Sequence, residues 1–393
     1  MPPFKKLFFP LLCLLLCINT STSLTFELGR NIEHSLVQKG IPFLAIQTWV
    51  HFLSCLFFVA LVLILRKIRF ELLFKTALLS IAIALPISVY LLSSSPLSYF
   101  LTSLFSHSIL TFLGWAYINQ ITKVSEGKKY YFILLCLSTV VFMIFAIPLT
   151  IFSRLGPAFS SLPLLLGTWG CLALTWLCDC WIRKKSPDRI PLQKAIIAFP
   201  RPWPSLILFS ILFVGFKLIL SLNAPLFGSY IEHAAAVSPS EYNSFLGKHA
   251  FFSGLGILVI FILAPVIGPR LLKIKGWQFC MFLLPVFGLI ALLIPQILSN
   301  PFSYTCEQTL FKGLDYSWLF PLLQIAFLCF PLRERFLAQA WVCLALAPLL
   351  EWGMKWLQLD ASGILAVSIV ILICMTASIW TLAKLKPAIT EKT

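Results

Sequence analysis

The chain has 393 residues, 60% hydrophobic and only 11% charged, with a formal net charge of +16 and a mean hydropathy of +0.95. A soluble domain of this length needs a charged, solvated surface that such a composition cannot supply. Long apolar runs without period-two alternation exclude a membrane β-barrel and leave a polytopic helical protein, since only helices and closed barrels satisfy their backbone in lipid.

In chain order the apolar runs predict about twelve spans, each close to the roughly 20 residues a bilayer requires. The first half gives 7–26, 43–65, 74–94, 98–121, 131–153 and 161–182. A basic connection over 183–204 follows. The second half gives 205–230, 249–269, 277–297, 303–331 (irregular), 336–357 and 363–383. The tenth run is irregular because Glu307, Lys312 and Asp315 near its start cannot all face lipid. The first run, after Lys5 and Lys6, also has the pattern of a secretory signal peptide.

Most of the 30 basic residues fall in the segments after even-numbered runs. They include Arg66 to Lys75, Lys123 to Lys129, Arg183 to Arg201, Arg270 to Lys275, Arg333 with Arg335, and Lys384 to Lys392. A miscounted span would move later clusters to the wrong side, so the distribution predicts cytoplasmic termini in a multi-pass protein of the cell (inner) membrane. The same clustering removes nucleic acid from the expected partners, because the charge forms no basic domain with interleaved aromatics. The 12 cysteines lie mostly within apolar runs, and Cys178 and Cys180 form CxC without a second pair at metal-ligand spacing. Neither a disulfide framework nor a metal is expected.

The sequence divides into a first six-helix half (1–182), the connection (183–204) and a second half (205–393). An internal echo joins the two. Pro42-Phe-Leu-Ala precedes a run ending in Leu65-Arg-Lys-Ile, and Ser244-Phe-Leu-Gly precedes one ending in Arg270-Leu-Leu-Lys-Ile. Two pseudo-symmetric halves of six spans predict a major-facilitator-like secondary transporter. No Walker A, HExxH, GxSxG or paired catalytic carboxylates occur, so an enzyme is not expected and no cofactor is called for.

Several segments, in order, resemble the non-mitochondrial ATP/ADP translocases, the nucleotide transporters of plastids and obligate intracellular bacteria. Ser238-Pro-Ser-Glu-Tyr-Asn-Ser-Phe-Leu-Gly247 is similar to that family's TPNDYNxFMG-like stretch, and Gly276-Trp277 to its RxGW. Trp115-Ala-Tyr-Ile-Asn-Gln-Ile-Thr-Lys123, with Glu126, Lys129, Tyr130 and Tyr131, resembles its WGFANEITKxxEAKRFY-like segment. Ile41-Pro-Phe43 with Trp49 and Phe330-Pro-Leu-Arg-Glu-Arg335 extend the match. The resemblance implies a transporter of nucleotides or related anionic or nucleoside-like metabolites. Four charges that the family uses for exchange are missing: Gln120 stands for a glutamate, no lysine falls near Asn31-Ile-Glu33, no glutamate between Leu222 and Tyr230, and no lysine near Leu322-Leu-Gln-Ile-Ala326. A diverged relative acting as a membrane interaction protein is the competing expectation.

The candidate substrate-binding residues are Lys217, Asn119, Gln120, Gln324 and Arg30. Lys217 lies mid-run with no evident acidic partner nearby in sequence, and a lysine at that depth is a functional candidate by default. Asn119, Gln120 and Gln324 could hydrogen-bond a base, ribose or phosphate, or serve as interhelical glue. Arg30 could meet an anion outside the first run. Asp179 with Arg183, and Glu351 with Lys355, have the spacing of neutralising pairs on one helix face. His51 and His107 could relay protons or simply hydrogen-bond.

Overall fold

The computed structural model describes residues 5–30, 68–90, 96–153, 157–187, 203–237, 239–298, 301–354 and 359–384, with positions 56 and 59. Most of the predicted run 43–65, most of the basic connection, the stretch 31–33, His51 and Lys355 lie outside the described residues.

The other predicted runs are helical, often longer than their apolar cores. The helices are α1 (Lys5–Arg30), α2 (Phe70–Tyr90), α3 (Pro96–Ile121), α4 (Val124–Ser153) and α5 (Pro157–Lys185). The series continues with α6 (Trp203–Val237), α7 (Pro239–Ile274), α8 (Trp277–Ile297) and α9 (Pro301–Leu314). A π-helical turn, Asp315–Leu319, leads into α10 (Phe320–Phe327). Then come α11 (Leu332–Ala340), a second π-helical turn at Trp341–Leu346, α12 (Ala347–Met354) and α13 (Ala361–Lys384). The irregularity expected in the tenth run is the first π turn, where the ladder widens to i→i+5 bonds.

Lipid explains how these helices use their sequence. Outward rows are apolar, as with Leu255, Ile262, Val266 and Leu263 on α7 or Leu162, Leu166 and Leu177 on α5. Hydroxyls inside the runs bond back to their own helix: Thr22 donates to the Ile18 carbonyl (2.8 Å), Thr168 to Leu164 (2.8 Å) and Ser210 to Leu206 (2.7 Å). That pattern gives these hydroxyls an acceptor on their own helix where water is absent. At the helix ends, Lys185 lies 4.9 Å over the Trp181 ring and Lys384 3.5 Å over Trp380, the pairing of aromatic ring and cation found at membrane interfaces. Asp360 starts α13 by accepting from the Ser362 hydroxyl (2.7 Å) and the Gly363 N–H (2.9 Å). These two bonds, the Ser362 one first, hold its carboxyl below the ordinary value.

The chain forms two compact units. The first comprises residues 1–123, 137–201 and 330–348; the second comprises 124–136, 202–329 and 349–393. In the first, α1 packs chiefly on α5 and α3, and α2 and α11 pack on α3. Phe336 of α11 meets Phe70 (5.4 Å) and Phe112 (5.2 Å) edge-on. In the second, α6 packs on α13, and α9 packs on α7 and α8. Small residues permit the α7–α9 approach: Gly256 lies against Thr309, and Gly313 against Ile260.

The second unit also seats the first turns of α4 against α7. Phe132 stacks edge-on against Trp318 (5.4 Å), and a Cβ at Gly268 would fall 2.6 Å from Phe132 Cδ1. The obstacle is a buried ring, so the contact cannot relax cheaply. Gly268→Ala is expected to destabilise the protein by about 1–3 kcal/mol, read as a lower midpoint of thermal unfolding in detergent. An unchanged midpoint would mean that this face is loosely packed.

Candidate functional site

In the second unit Lys217 sits near the middle of the apolar part of α6, about 20 Å along the axis from the helix start. Its ammonium is ion-paired with Oδ2 of Asp315, at the first residue of the π turn. The Asp315 side chain is 1% exposed and that of Lys217 22%. The ammonium also lies 5.3 Å from the centre of the Tyr316 ring and 5.8 Å from that of Phe213. The expected lack of an acidic partner therefore held only locally, since the partner is 98 residues away. The sequence offers only opposite charges in two distant runs, and the tenth run also holds Glu307 and Lys312, so spacing does not single out this pair.

The π turn is held by two indoles. Trp318 Nε1 donates to the Cys280 carbonyl (2.8 Å), and Trp277 Nε1 donates to the Leu322 carbonyl (3.1 Å). Ser317 donates to the Gly313 carbonyl at 2.5 Å. These bonds take up backbone oxygens around the widened turn and fix where Asp315 projects. Gln324 lies in the same unit, fully buried in α10.

Asn119 and Gln120 belong to the first unit and are buried. Asn119 Nδ2 donates to Gln339 Oε1 (2.9 Å), and Gln120 Nε2 makes a long bond to the Leu332 carbonyl (3.4 Å). Arg335 completes the cluster, which sequence reading did not assemble. Its Nη1 donates to the carbonyls of Asn119 (2.9 Å) and Thr122 (3.2 Å), and its Nε to that of Phe330 (2.9 Å). A guanidinium on the last carbonyls of α3 satisfies orphan acceptors and complements the helix dipole. Removing it in Arg335→Ala is expected to lower stability by about 1.5–3 kcal/mol, measured by thermal unfolding, with little recovery in Arg335→Lys. Full recovery by lysine would show that charge alone matters there.

The pair Asp179 and Arg183 forms as its spacing predicts (2.8 Å) and is part of a larger network. Tyr117 donates to Asp179 Oδ1 (2.5 Å), Arg183 Nη1 meets Glu71 (2.7 Å), and Lys75 meets the same carboxylate (2.9 Å). His107 Nδ1 contacts the Thr22 carbonyl (2.9 Å); because a carbonyl only accepts, that nitrogen carries the proton. Arg30 closes α1. The structure thus brings Asn119 and Gln120 together in the first unit and places Lys217 and Gln324 in the second.

No family model matches the chain. Among solved structures, a bacterial homologue of the iron transporter ferroportin in its outward-facing state aligns with a TM-score of 0.69 at 13% identity, covering 96% of this chain and 99% of that one. The human organic anion transporter MFSD10 (TETRAN) aligns with a TM-score of 0.61 at 14% identity, covering 97% and 100%. The major facilitator superfamily proton:xylose symporter XylE aligns at 0.56 and 13%, covering 98% and 96%. The fold is major-facilitator-like. In sequence, the chain is 23% identical over 221 residues to ADP,ATP carrier protein 1 of Chlamydia muridarum, a match spanning 49% of this chain but only 40% of that relative. This is a multi-pass helical membrane protein.

Proposed function

We propose that the protein is a secondary transporter working by alternating access, with a nucleotide or a related anionic or nucleoside-like metabolite as substrate, carried in exchange or symport. The observation that carries this reading is Lys217. It is a cation deep in an apolar helix, ion-paired with Asp315 and flanked by the Tyr316 and Phe213 rings. A phosphate or carboxylate can compete for the ammonium, and a base or other flat group can lie against a ring. The similarity to the chlamydial ADP,ATP carrier supports the nucleotide class. The major-facilitator-like fold supports transport, because its solved neighbours include symporters and an organic anion transporter. The basic clusters favour cytoplasmic termini in the cell membrane.

The test is uptake of radiolabelled ATP, ADP, other nucleotides and nucleosides into vesicles holding the purified full chain, with and without internal counter-substrate. Saturable uptake that is abolished in Lys217→Ala is the expected result. Folded protein that moves none of these compounds would overturn the substrate assignment.

A further inference from the structure

Glu307 is the buried acid that the Lys217 pair leaves over. At about 100° per residue, Glu307, Gln308, Phe311 and Asp315 fall within roughly a third of the circumference of α9. That face meets α6, where Phe216 contacts Phe311 (5.6 Å) and Lys217 pairs with Asp315. Glu307 is 2% exposed, Gln308 3% and Asp315 1%. The face therefore carries two carboxylates and one lysine, and Lys217 is already paired with Oδ2 of Asp315. Among the described residues Glu307 has no ion-pair partner. Gln308 Nε2 and Asp315 Oδ1 have no hydrogen-bond partner there either.

The elements packed on α9 are α6, α7, α8 and the π turn. Among described side chains their ionisable groups are Lys217 on α6, Arg270 and Lys273 on α7, Cys280 on α8 and Tyr316 in the turn. On α9 itself they are Tyr304, Cys306 and Lys312. Lys217, at the level of Asp315, is displaced from Glu307 by about 12 Å along the axis. α7 runs in the same sense as α9, with Gly256 at Thr309 and Ile260 at Gly313, which sets Arg270 about 24 Å further along. Lys312 is five residues on and projects about 140° away around α9. None of these described cations is ion-paired with Glu307.

An ionised carboxylate with no cation in the bilayer interior costs several kcal/mol, whereas the neutral acid avoids most of that penalty. Among its described surroundings Glu307 is accommodated more cheaply as the neutral acid, and ionising it calls for water or a cation. We propose that Glu307 is the coupling site of a proton-driven transport cycle, binding a proton at its carboxylate on one side of the membrane and releasing it on the other. One O–H bond forms and breaks. The carboxyl alternates between neutral and −1, and the Lys217–Asp315 pair keeps its charges throughout. Gln308 Nε2 and Asp315 Oδ1 are the polar atoms on the same face that the altered charge or a bound solute can engage. The inference rests on the transport reading, but the protonation itself is measurable without a substrate.

Two measurements decide it, on the full chain in lipid. Infrared difference spectra between acid and alkaline buffer are expected to show the carbonyl stretch of a protonated carboxylic acid that disappears on alkalinisation. The band should be lost in Glu307→Gln and shifted in Glu307→Asp, which retains the titrating group if the glutamine variant folds poorly. In vesicles, uptake of radiolabelled ATP is expected to rise under an acid-outside pH gradient in wild type and to lose that stimulation in Glu307→Gln. A band that survives unaltered in both variants overturns the proposal, as does uptake driven by a sodium gradient and indifferent to pH. Should no nucleotide enter at all, the nucleotide reading fails while the infrared result still decides the protonation of Glu307.

Discussion

Replacing Lys217 with alanine is expected to abolish transport and to destabilise the protein by about 3–5 kcal/mol, the cost of stranding one member of a buried ion pair. The two partners are not equivalent. Asp315 is 1% exposed, so without Lys217 its charge is left in an apolar site. Lys217 is 22% exposed, has two rings beside its ammonium, and owns a four-carbon stem that can swing the charge toward a wetter level. Lys217→Ala should therefore lower the thermal midpoint more than Asp315→Ala. The double variant should melt above Lys217→Ala, because removing both charges removes the stranded one. Strictly additive losses would mean that the ammonium and carboxylate do not depend on each other, which would remove the physical basis for treating them as one site. Uptake by the stable double variant is the functional arm: it should be absent if Lys217 meets substrate.

The second large effect is expected at Asp179, where stability and not substrate recognition is at stake. Its carboxylate accepts from the Tyr117 hydroxyl and from Arg183 Nε, and it is buried. Asp179→Ala removes the carboxylate to which Tyr117 donates and the partner of Arg183 Nε, a combined loss of about 3 kcal/mol or more. Tyr117→Phe removes only one bond and should lose about 1–2 kcal/mol. Arg183 retains Glu71 at 2.7 Å and Glu71 retains Lys75 at 2.9 Å, so the network should shrink without collapsing. Thermal unfolding of the two variants reads the difference directly. Equal losses would mean that the Tyr117 bond carries the whole interaction and that the charge pair contributes little.

Much of the fold is legible in the sequence because lipid imposes a simple rule. An apolar run must be helical and close to a known length, so the predicted run at 277–297 coincides with α8 (Trp277–Ile297). Ends are less legible. α6 and α7 extend well beyond their apolar cores into residues such as Glu232, Glu241 and Lys248, whose polarity ends the apolar run but not the helix. The local pair Asp179–Arg183 is visible because four residues make one turn. Lys217–Asp315 is not, since it depends on how two distant helices pack. Asn119 and Gln120 show a further gap between residue type and role. An amide near a helix end looks the same in sequence whether it will meet a solute or another helix, and here Gln339 and the Leu332 carbonyl are its partners.

The π turn at Asp315–Leu319 has a consequence for how the tenth run compares with other sequences. A wider turn accommodates one more residue than an α-turn spanning the same rise, so it behaves as a tolerated single-residue insertion. Side chains after it are rotated by about 100° relative to an uninterrupted helix. Any alignment that keeps strict spacing through the tenth run will compare residues on different faces beyond Leu319. Relatives lacking the wide turn should show a one-residue gap here. Against a relative without the wide turn, positions 322–326 would fall one place out of register, and correspondence past this point would follow facing direction and not residue count.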